Sequence, residues 1–292
     1  MDWVHIIGGG MAGLSLGAKL AEYTKLPGNV VISEPNPLCT INQTFCYWER
    51  KKEPLKQLKT KSFDSWIFSN KTESASHFGE SWKYNLLRGE TFFDNCMDKI
   101  YRNPLIKIVS QKLDRTPKAH HVFDSRPLPA SSFKVCQSIY GIEFFCRKGH
   151  KLDPSAAILM GNMRTEGEDF LFNYLLPLDE QRLILEATAF GTKGVSKKRL
   201  IEIIQLFKKQ YAGEGVITRE EGGYIPMGLK AFPSDNLGLP IGARGDMVRN
   251  SSGYSFSIVQ NWAQLCAESL VKNDSKHPFV KNLLEKSSDD IF

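Results

Sequence analysis

The feature that most constrains the fold is a group of glycines that follows an apolar run at the very start of the chain. Residues 4–7 are mostly apolar, Gly8, Gly10 and Gly13 form the pattern G-x-G-x-x-G, and residues 14–21 have helix-like spacing. Gly8 permits a tight strand-to-helix turn, Gly10 lets the backbone approach a pyrophosphate, and Gly13 lets helix and sheet pack closely. The pattern predicts a phosphate site at a helix N-terminus.

A second apolar run, residues 30–32, completes a β-α-β unit. It ends at Ser33 and Glu34, and Glu34 lies 21 residues after Gly13. An acid at this position accepts hydrogen bonds from the ribose hydroxyls of a bound dinucleotide. Strand, glycines, helix, strand and acid together predict an adenine dinucleotide site with Gly8, Gly10, Gly13 and Glu34 as binding residues.

The rest of the chain lacks the further alternating β-α units expected of a simple NAD dehydrogenase. Helical spacing covers residues 89–101, and strands are predicted at 106–109 and at 121–124. From residue 136 to residue 190 the pattern changes to extended runs separated by turns, which predicts a mainly antiparallel sheet. Ser196 caps an amphipathic helix, glycine-rich turns follow at 222–228, and a last helix spans residues 255–272.

A second glycine loop precedes that last helix. Residues 241–247 read Ile-Gly-Ala-Arg-Gly-Asp-Met. A loop that leads into a helix N-terminus can receive phosphate or the edge of a flavin.

Composition favours a globular cytoplasmic protein. The chain has 292 residues, of which 41% are hydrophobic, and its apolar stretches are too short to span a bilayer. Its first residues carry an acid rather than the positive charge of a secretory signal, so we expect no export. Six cysteines without a C-x-x-C pair and scattered histidines predict reduced thiols and no metal site.

The net charge of +6 specifies neither nucleic acid nor membrane, and we expect no nucleic-acid partner. One segment concentrates the charge: residues 50–61 hold six basic residues against one acid. Two interpretations stay open at this point, a solvated loop and a surface that rests on acidic lipid headgroups.

Taken together, the motifs resemble the lycopene cyclase family, flavoproteins that close the ionone rings of carotenoids. The resemblance covers nearly the whole chain, in register. Besides the glycine fingerprint it rests on residues 42–49 (NQTFCYWE), 122–127 (VFDSRP), 137–143 (QSIYGIE), 172–178 (FNYLLPL) with 185–188 (LEAT), 225–228 (IPMG) and 249–256 (RNSSGYSF).

The resemblance implies an α/β fold: a Rossmann-like FAD-binding domain of the glutathione-reductase type with an inserted, mainly antiparallel β-sheet substrate domain. We expect the FAD domain at residues 1–50, 86–128 and 222–292, a basic insertion at 51–85 and the substrate domain at 129–221. FAD is the implied cofactor and NAD(P)H its reductant. The implied cofactor-binding residues also include Asp124, Gly242, Gly245, Asp246 and Met247.

The resemblance also implies a reaction, namely proton-initiated cyclisation of a linear, apolar polyene with no net electron transfer. Reduced flavin would act electrostatically on the cation, and Glu186 in the L-E-x-T motif would be the proton donor. Burial beside apolar residues raises the pKa of a carboxyl group, although strand periodicity alone fits an outward-facing acid equally well. A substrate of this kind implies peripheral association with a membrane surface.

Three departures from the family pattern affect its catalytic side. Ala187 replaces the second acid of the L-E-E-T motif, Gly161 replaces the acid that follows a methionine with Arg164 one place late, and only about 36 residues follow Phe256. Two alternatives therefore stay open. One is a related FAD-dependent hydroxylase or prenyl reductase, and the other is a flavin or carotenoid binder without turnover.

Overall fold

The computed structural model describes residues 1–37, 43–52 and 59–272. The chain divides into two compact units, Met1–Asn42, Arg88–Phe133 and Met227–Phe292 in the first, and Gln43–Leu87 and Lys134–Pro226 in the second. The expected boundaries divide the chain differently, since residues 43–50 and the expected basic insertion belong to the same unit as the antiparallel strands.

The described residues form four α-helices and fifteen strands. The helices are α1 (Met11–Ala21), α2 (Gly89–Arg102), α3 (Lys197–Phe207) and α4 (Phe256–Val271). The strands are β1 (Asp2–Ile7), β2 (Val30–Glu34), β3 (Thr44–Arg50), β4 (Lys61–Phe63), β5 (Ser65–Asn70), β6 (Ser74–Phe78), β7 (Trp82–Arg88), β8 (Ile106–Ser110), β9 (Ala119–Asp124), β10 (Phe133–Cys146), β11 (Ala156–Glu166), β12 (Asp169–Pro177), β13 (Arg182–Gly191), β14 (Gly215–Leu229) and β15 (Leu239–Pro240).

The first unit contains a five-stranded sheet in the order β15-β9-β1-β2-β8, in which every neighbouring pair is parallel. Its central strand β1 is buried from Trp3 to Ile7, as expected of a strand covered on both faces. Helix α1 packs against α2 and α4. In parallel sheets, ligands bind at the carboxyl edge of the strands, and here that edge carries the glycine loop, Glu34 and Asp124.

The second unit contains a seven-stranded sheet in the order β14-β10-β13-β12-β11-β5-β6 and a three-stranded sheet in the order β3-β7-β4. In the large sheet β10, β13, β12 and β11 pair antiparallel in turn, and β11 pairs parallel with β5. One face of this sheet packs with α3 in an apolar core that includes Leu185, Ala187, Leu200 and Ile204. The mainly antiparallel sheet expected from the sequence is therefore present.

One segment differs from the sequence-based expectation. Residues 222–228, predicted as turns, continue strand β14. The neighbouring strand β10 runs so close to them that a Cβ at Gly222 would lie 3.0 Å from the carbonyl oxygen of Ile139. Glycine therefore marks a close approach of two backbones here, not a turn.

Among the described residues, no helix is both long enough and apolar enough to cross a bilayer. No three side chains of His, Cys, Asp or Glu among them are grouped so that they could hold a metal ion.

Candidate functional site

The glycine loop of the first unit consists of Gly8, Gly9 and Gly10, between the end of β1 and the start of α1. Gly8 has φ +100°, a conformation that side chains other than glycine rarely adopt. A Cβ at Gly13 would lie 2.0 Å from the carbonyl oxygen of Gly8. The path from strand to helix therefore requires glycine at both positions.

Gly10 differs from these two because its own surroundings are open. Its φ of −78° suits any residue, and a Cβ built there meets no atom within 4 Å. Helix α1 has neither a capping side chain nor an acidic residue in its first turn. The N-terminus of α1 thus offers backbone N–H groups to an open space, which is the arrangement that binds phosphate.

Glu34 lies directly beside this loop. Its Oε2 accepts a hydrogen bond of 2.7 Å from the N–H of Gly9, and its Oε1 accepts one of 3.0 Å from Asn36. The parallel pairing of β1 with β2 brings the two strand ends together. The residues singled out by the glycine fingerprint and the terminal acid are therefore adjacent in space.

The second glycine loop also reaches the start of α1. Residues Gly242–Gly245 form a 3-10 turn, and a Cβ at Gly242 would lie 3.0 Å from the Cβ of Ala12. The turn is closed by the N–H of Met247, which donates to the carbonyl oxygen of Gly242 at 3.0 Å. Asp246 is in the left-handed conformation, and its Oδ1 accepts a hydrogen bond from Leu229 at 3.3 Å. The loop therefore packs directly against the start of α1.

Asp124 has a structural role. Its carboxylate is fully buried, accepts two side-chain hydrogen bonds from Arg126 at 2.9 and 2.7 Å, and accepts a third from the N–H of Leu237. Burial acts to raise the pKa of Asp124, but these hydrogen bonds outweigh it and lower the pKa. The side chain anchors the chain around Leu237, and a role of Asp124 in cofactor binding stays a prediction.

In the second unit, Glu186 lies on β13, whose side chains alternate between two environments. Leu185 and Ala187 point into the apolar core with α3, and Glu186 points to the opposite face of the sheet. We call this opposite face of the seven-stranded sheet the carboxyl face. An acid at position 187 would have pointed into the core, so Ala187 removes no carboxylate from the carboxyl face.

A second carboxylate, which the sequence did not reveal, shares the carboxyl face. Gly141 of β10 pairs directly with Glu186, and a Cβ at Gly141 would lie 3.4 Å both from the Cβ of Glu186 and from the Cγ of Glu221 on β14. The missing side chain at position 141 thus leaves room for two glutamates to flank it. They belong to strands on either side of β10.

Glu221 is held by several hydrogen-bond donors. The backbone N–H and the hydroxyl of Thr44 donate to it at 2.6 and 2.7 Å, and a guanidinium N–H of Arg219 donates at 3.3 Å. Thr44 begins β3, so this strand of the smaller sheet reaches the carboxyl face. These three hydrogen bonds fix the side chain of Glu221 beside Gly141.

The carboxyl group of Glu186 has a raised pKa. Burial and the negative charge of Glu221 raise its pKa to about 8, although the hydroxyl of Thr188, which donates at 2.8 Å, and the charge of Arg219 act to lower it. The carboxyl group of Glu186 is therefore protonated at neutral pH. A carboxyl group in this state can give a proton to a substrate.

The surroundings of Glu186 on the carboxyl face are aromatic. Tyr174 is its direct neighbour on β12, and Phe172 pairs with Thr188. The rings of Phe172 and Tyr174 are 5.5 Å apart, and those of Phe172 and Phe190 are 5.2 Å apart. The proton-bearing group thus lies next to a row of aromatic side chains.

A family comparison bears on this arrangement. A sequence model of the family described as "Lycopene cyclase protein" matches residues 3–288. The chain belongs to the lycopene cyclase family. The match extends over both compact units and includes the glycine loop, Glu186 and Glu221.

Solved structures share the fold of this lycopene cyclase family member at low sequence identity. A geranylgeranyl bacteriochlorophyll reductase-like protein from Thermoplasma acidophilum has a TM-score of 0.62 at 10% identity, over 99% of this chain and 82% of its own. The enzyme 2-methyl-3-hydroxypyridine-5-carboxylic acid oxygenase has a TM-score of 0.59 at 13% identity, over 100% of this chain and 88% of its own. The structure of CtdE in complex with FAD has a TM-score of 0.59 at 9% identity, over 100% of this chain and 92% of its own. The chain thus has the mixed α/β fold of these proteins.

The departure from the family pattern around Gly161 coincides with irregular pairing. The register of β11 against β12 shifts on both sides of Gly161, and Asn162 has φ +52°. Bulges add residues to a strand without lengthening its partner, so β11 gains residues relative to β12 around Gly161. Arg164 forms an ion pair with Glu166 at 2.8 Å.

Glu221, Thr44 and Arg219 were not predicted as site residues from the sequence. The available signal was the run Arg219-Glu220-Glu221 just before two glycines. Charged residues that alternate in a strand point to one face, but the identity of the partner strand requires the fold.

Proposed function

We propose that the chain is a flavoprotein that forms ionone-type rings on a linear carotenoid such as lycopene, by proton-initiated cyclisation. Glu186 is the proton donor in this proposal. The observation that carries it is the environment of Glu186: its carboxyl group holds a proton at neutral pH beside aromatic rings on the carboxyl face. Membership of the lycopene cyclase family supports the same reaction.

Ring closure needs a proton at one carbon and its loss at another. The proton of Glu186 would form a C–H bond at the terminal double bond, and the chain would close on the resulting cation. The aromatic faces of Phe172 and Tyr174 carry negative electrostatic potential that stabilises such a cation. Loss of a ring proton then forms the new double bond, so the product is an isomer of the substrate.

We propose FAD as the cofactor, bound by the first unit. The open space at Gly10 and the N-terminus of α1 fit its pyrophosphate, Glu34 fits a ribose, and the loop Gly242–Met247 fits the flavin end. Reduced FAD, with NAD(P)H as the source of its electrons, would supply negative charge that stabilises the cation. The residues of the chain itself supply the proton and the apolar surface.

A second candidate function follows from the shared fold. The similar structures include a reductase-like protein and an oxygenase, so a prenyl reductase or FAD-dependent monooxygenase is the alternative. In such an enzyme the reoxidation of flavin is coupled to the substrate. In a cyclase each flavin supports many turnovers without being reoxidised, and in a carotenoid binder the polyene leaves unchanged.

We also propose peripheral contact with a membrane surface, where a polyene substrate dissolves. Arg50 lies over the ring of Trp82 at 5.2 Å, and Lys51 lies over the ring of Phe78 at 5.5 Å. Trp82 and Phe78 are 41% and 70% exposed. Exposed aromatic and basic side chains in one place suit the headgroup region of an anionic bilayer.

The decisive experiment expresses the chain in cells that make lycopene and analyses their pigments. Cyclic carotenoid together with FAD in the purified protein is the expected result. Hydrogenated or oxygenated polyene would support the second candidate instead. Unchanged lycopene with bound FAD would indicate a binder.

A further inference from the structure

Glu186 and Glu221 lie on either side of Gly141 on the carboxyl face. We propose that Glu221 is a positioning residue for ring closure: its carboxylate, fixed across Gly141 by Thr44 and Arg219, keeps the catalytic proton on Glu186. This inference rests on the proposed function of Glu186. It assigns the second carboxylate to β14 and not to position 187.

The geometry gives the two glutamates different roles. The side chain of Glu221 is 6% exposed and accepts three hydrogen bonds, two from Thr44 and one from Arg219. Glu186 accepts one from Thr188. The negative charge of Glu221 disfavours ionisation of Glu186 beside it.

Other titratable groups surround Glu186, and none replaces Glu221 in this role. Arg219 carries a positive charge that opposes the effect of Glu221, and it also lies 3.5 Å from Glu143 of β10. Cys46 of β3 has a pKa raised by burial, with the charges of Glu186 and Glu221 acting in the same direction, so its thiol is neutral. Tyr174 is the neighbour on β12.

The same charge serves the second half of the reaction. Once Glu186 has given its proton to the terminal alkene carbon, two carboxylates flank Gly141. Their repulsion makes the carboxylate of Glu186 more basic, so it takes the proton that leaves the ring carbon. The electron pair of that C–H bond forms the ring double bond. Glu186 ends as it began, and no second acid or base is consumed.

The test compares Glu221→Gln with a matched variant, Glu220→Gln. Glu220 is the adjacent residue of β14, and its carboxylate accepts a hydrogen bond of 2.9 Å from Tyr140, which belongs to the apolar core on the other side of the sheet. Both variants remove one negative charge. We expect Glu221→Gln to move the alkaline limb of the pH profile for ring formation to lower pH by about one unit, and Glu220→Gln to leave it in place.

In a second variant, Arg219→Gln, we expect the alkaline limb to move in the opposite direction. Loss of its positive charge favours the protonated form of Glu186, so the alkaline limb should move to higher pH. A loss of activity that is equal at every pH in Glu221→Gln would show a merely structural role and would overturn the inference.

A direct titration separates this inference from the proposed function. The C=O stretch of a protonated carboxyl group, assigned to Glu186 by its loss in Glu186→Gln, is followed by infrared spectroscopy as the pH rises. Its midpoint should fall in Glu221→Gln whether or not the chain forms rings. An unchanged midpoint would overturn the inference, and absent cyclisation with a shifted midpoint would overturn only the proposed function.

Discussion

The N–H of Gly9 and the carboxylate of Glu34 are joined by a hydrogen bond of 2.7 Å between the glycine loop and the end of the neighbouring strand. A Cβ at Gly9 would lie 3.0 Å from the Cβ of Glu34, so the loop and the acid are in close contact. The loop is thereby fixed before any ligand arrives. A fixed loop loses little conformational entropy when it binds phosphate, which favours tight binding.

The first prediction separates binding from folding at two glycines. Gly10→Val should abolish FAD binding with little change in thermal stability, because a Cβ at this position points into the open space before α1 and meets no atom within 4 Å. Gly13→Val should lower the melting temperature as well, since its Cβ would meet the carbonyl oxygen of Gly8. Flavin absorbance of the purified protein and its melting curve measure both. Parental flavin content in Gly10→Val would remove the basis of the site.

The second prediction concerns the proton donor. Glu186→Gln keeps size and most hydrogen bonding but removes the acidic proton, so ring formation should fall by about a hundredfold or more. Bound FAD should stay at the parental level, since Glu186 is not among the residues proposed to bind FAD. Pigment analysis and flavin absorbance are the measurements, with an active parent as reference. Parental rates in Glu186→Gln would mean that the proton comes from another group.

The third prediction follows from the raised pKa of Glu186. Only the protonated form donates, so ring formation should be constant below a pKa of about 8 and fall as the pH rises through it. Above that value the rate should decrease about tenfold per pH unit. Initial rates with a saturating polyene, at matched ionic strength, test this. A rate that still rises above the predicted pKa would contradict the assignment.

The sequence predicted the first unit better than the second, for a physical reason. Gly8, Gly10, Gly13 and Glu34 lie within one β-α-β unit, so local spacing fixes their arrangement. Glu186 and Glu221 are joined by strand pairing through Gly141, which periodicity alone does not specify.

The turn predicted at residues 222–228 shows the limit of a short pattern. Glycines 222 and 223 indicated a turn, but the pairing of β14 with β10 places them in a strand. The partners of the Asp124 side chain, Arg126 and Leu237, likewise follow from the fold and not from the motif that contains Asp124.

The fourth prediction tests which face position 187 belongs to. Ala187→Glu restores the family's second acid, but Ala187 is fully buried in the core with α3. A carboxylate there would be unpaired, and we expect it to destabilise the fold by about 3 kcal/mol. Ala187→Ser is the matched control of nearly the original size. A stable Ala187→Glu variant with faster ring formation would place position 187 on the carboxyl face after all.

The last prediction concerns the membrane surface and takes account of the ion pairs that lysines of the basic segment, residues 50–61, form with acids outside it. Lys51 pairs with Asp64 at 2.8 Å, and Lys59 pairs with the buried carboxylate of Glu49. Lys56 lies outside the described residues. The lysines are thus poor first targets, because loss of Lys59 would leave a buried charge and harm the fold itself.

The exposed rings give a cleaner test. The double variant Phe78→Ser and Trp82→Ser should weaken binding to anionic vesicles about tenfold, or roughly 1.4 kcal/mol, because both rings are lost from the headgroup region. Tyr101→Ser is the control, since Tyr101 is 68% exposed, close to the 70% of Phe78. High salt should weaken the binding of the parent, since basic side chains contribute. Vesicle sedimentation measures the binding of the parent and of both variants. Binding that is indifferent to salt and to both rings would leave residues 50–52 as an ordinary solvated segment.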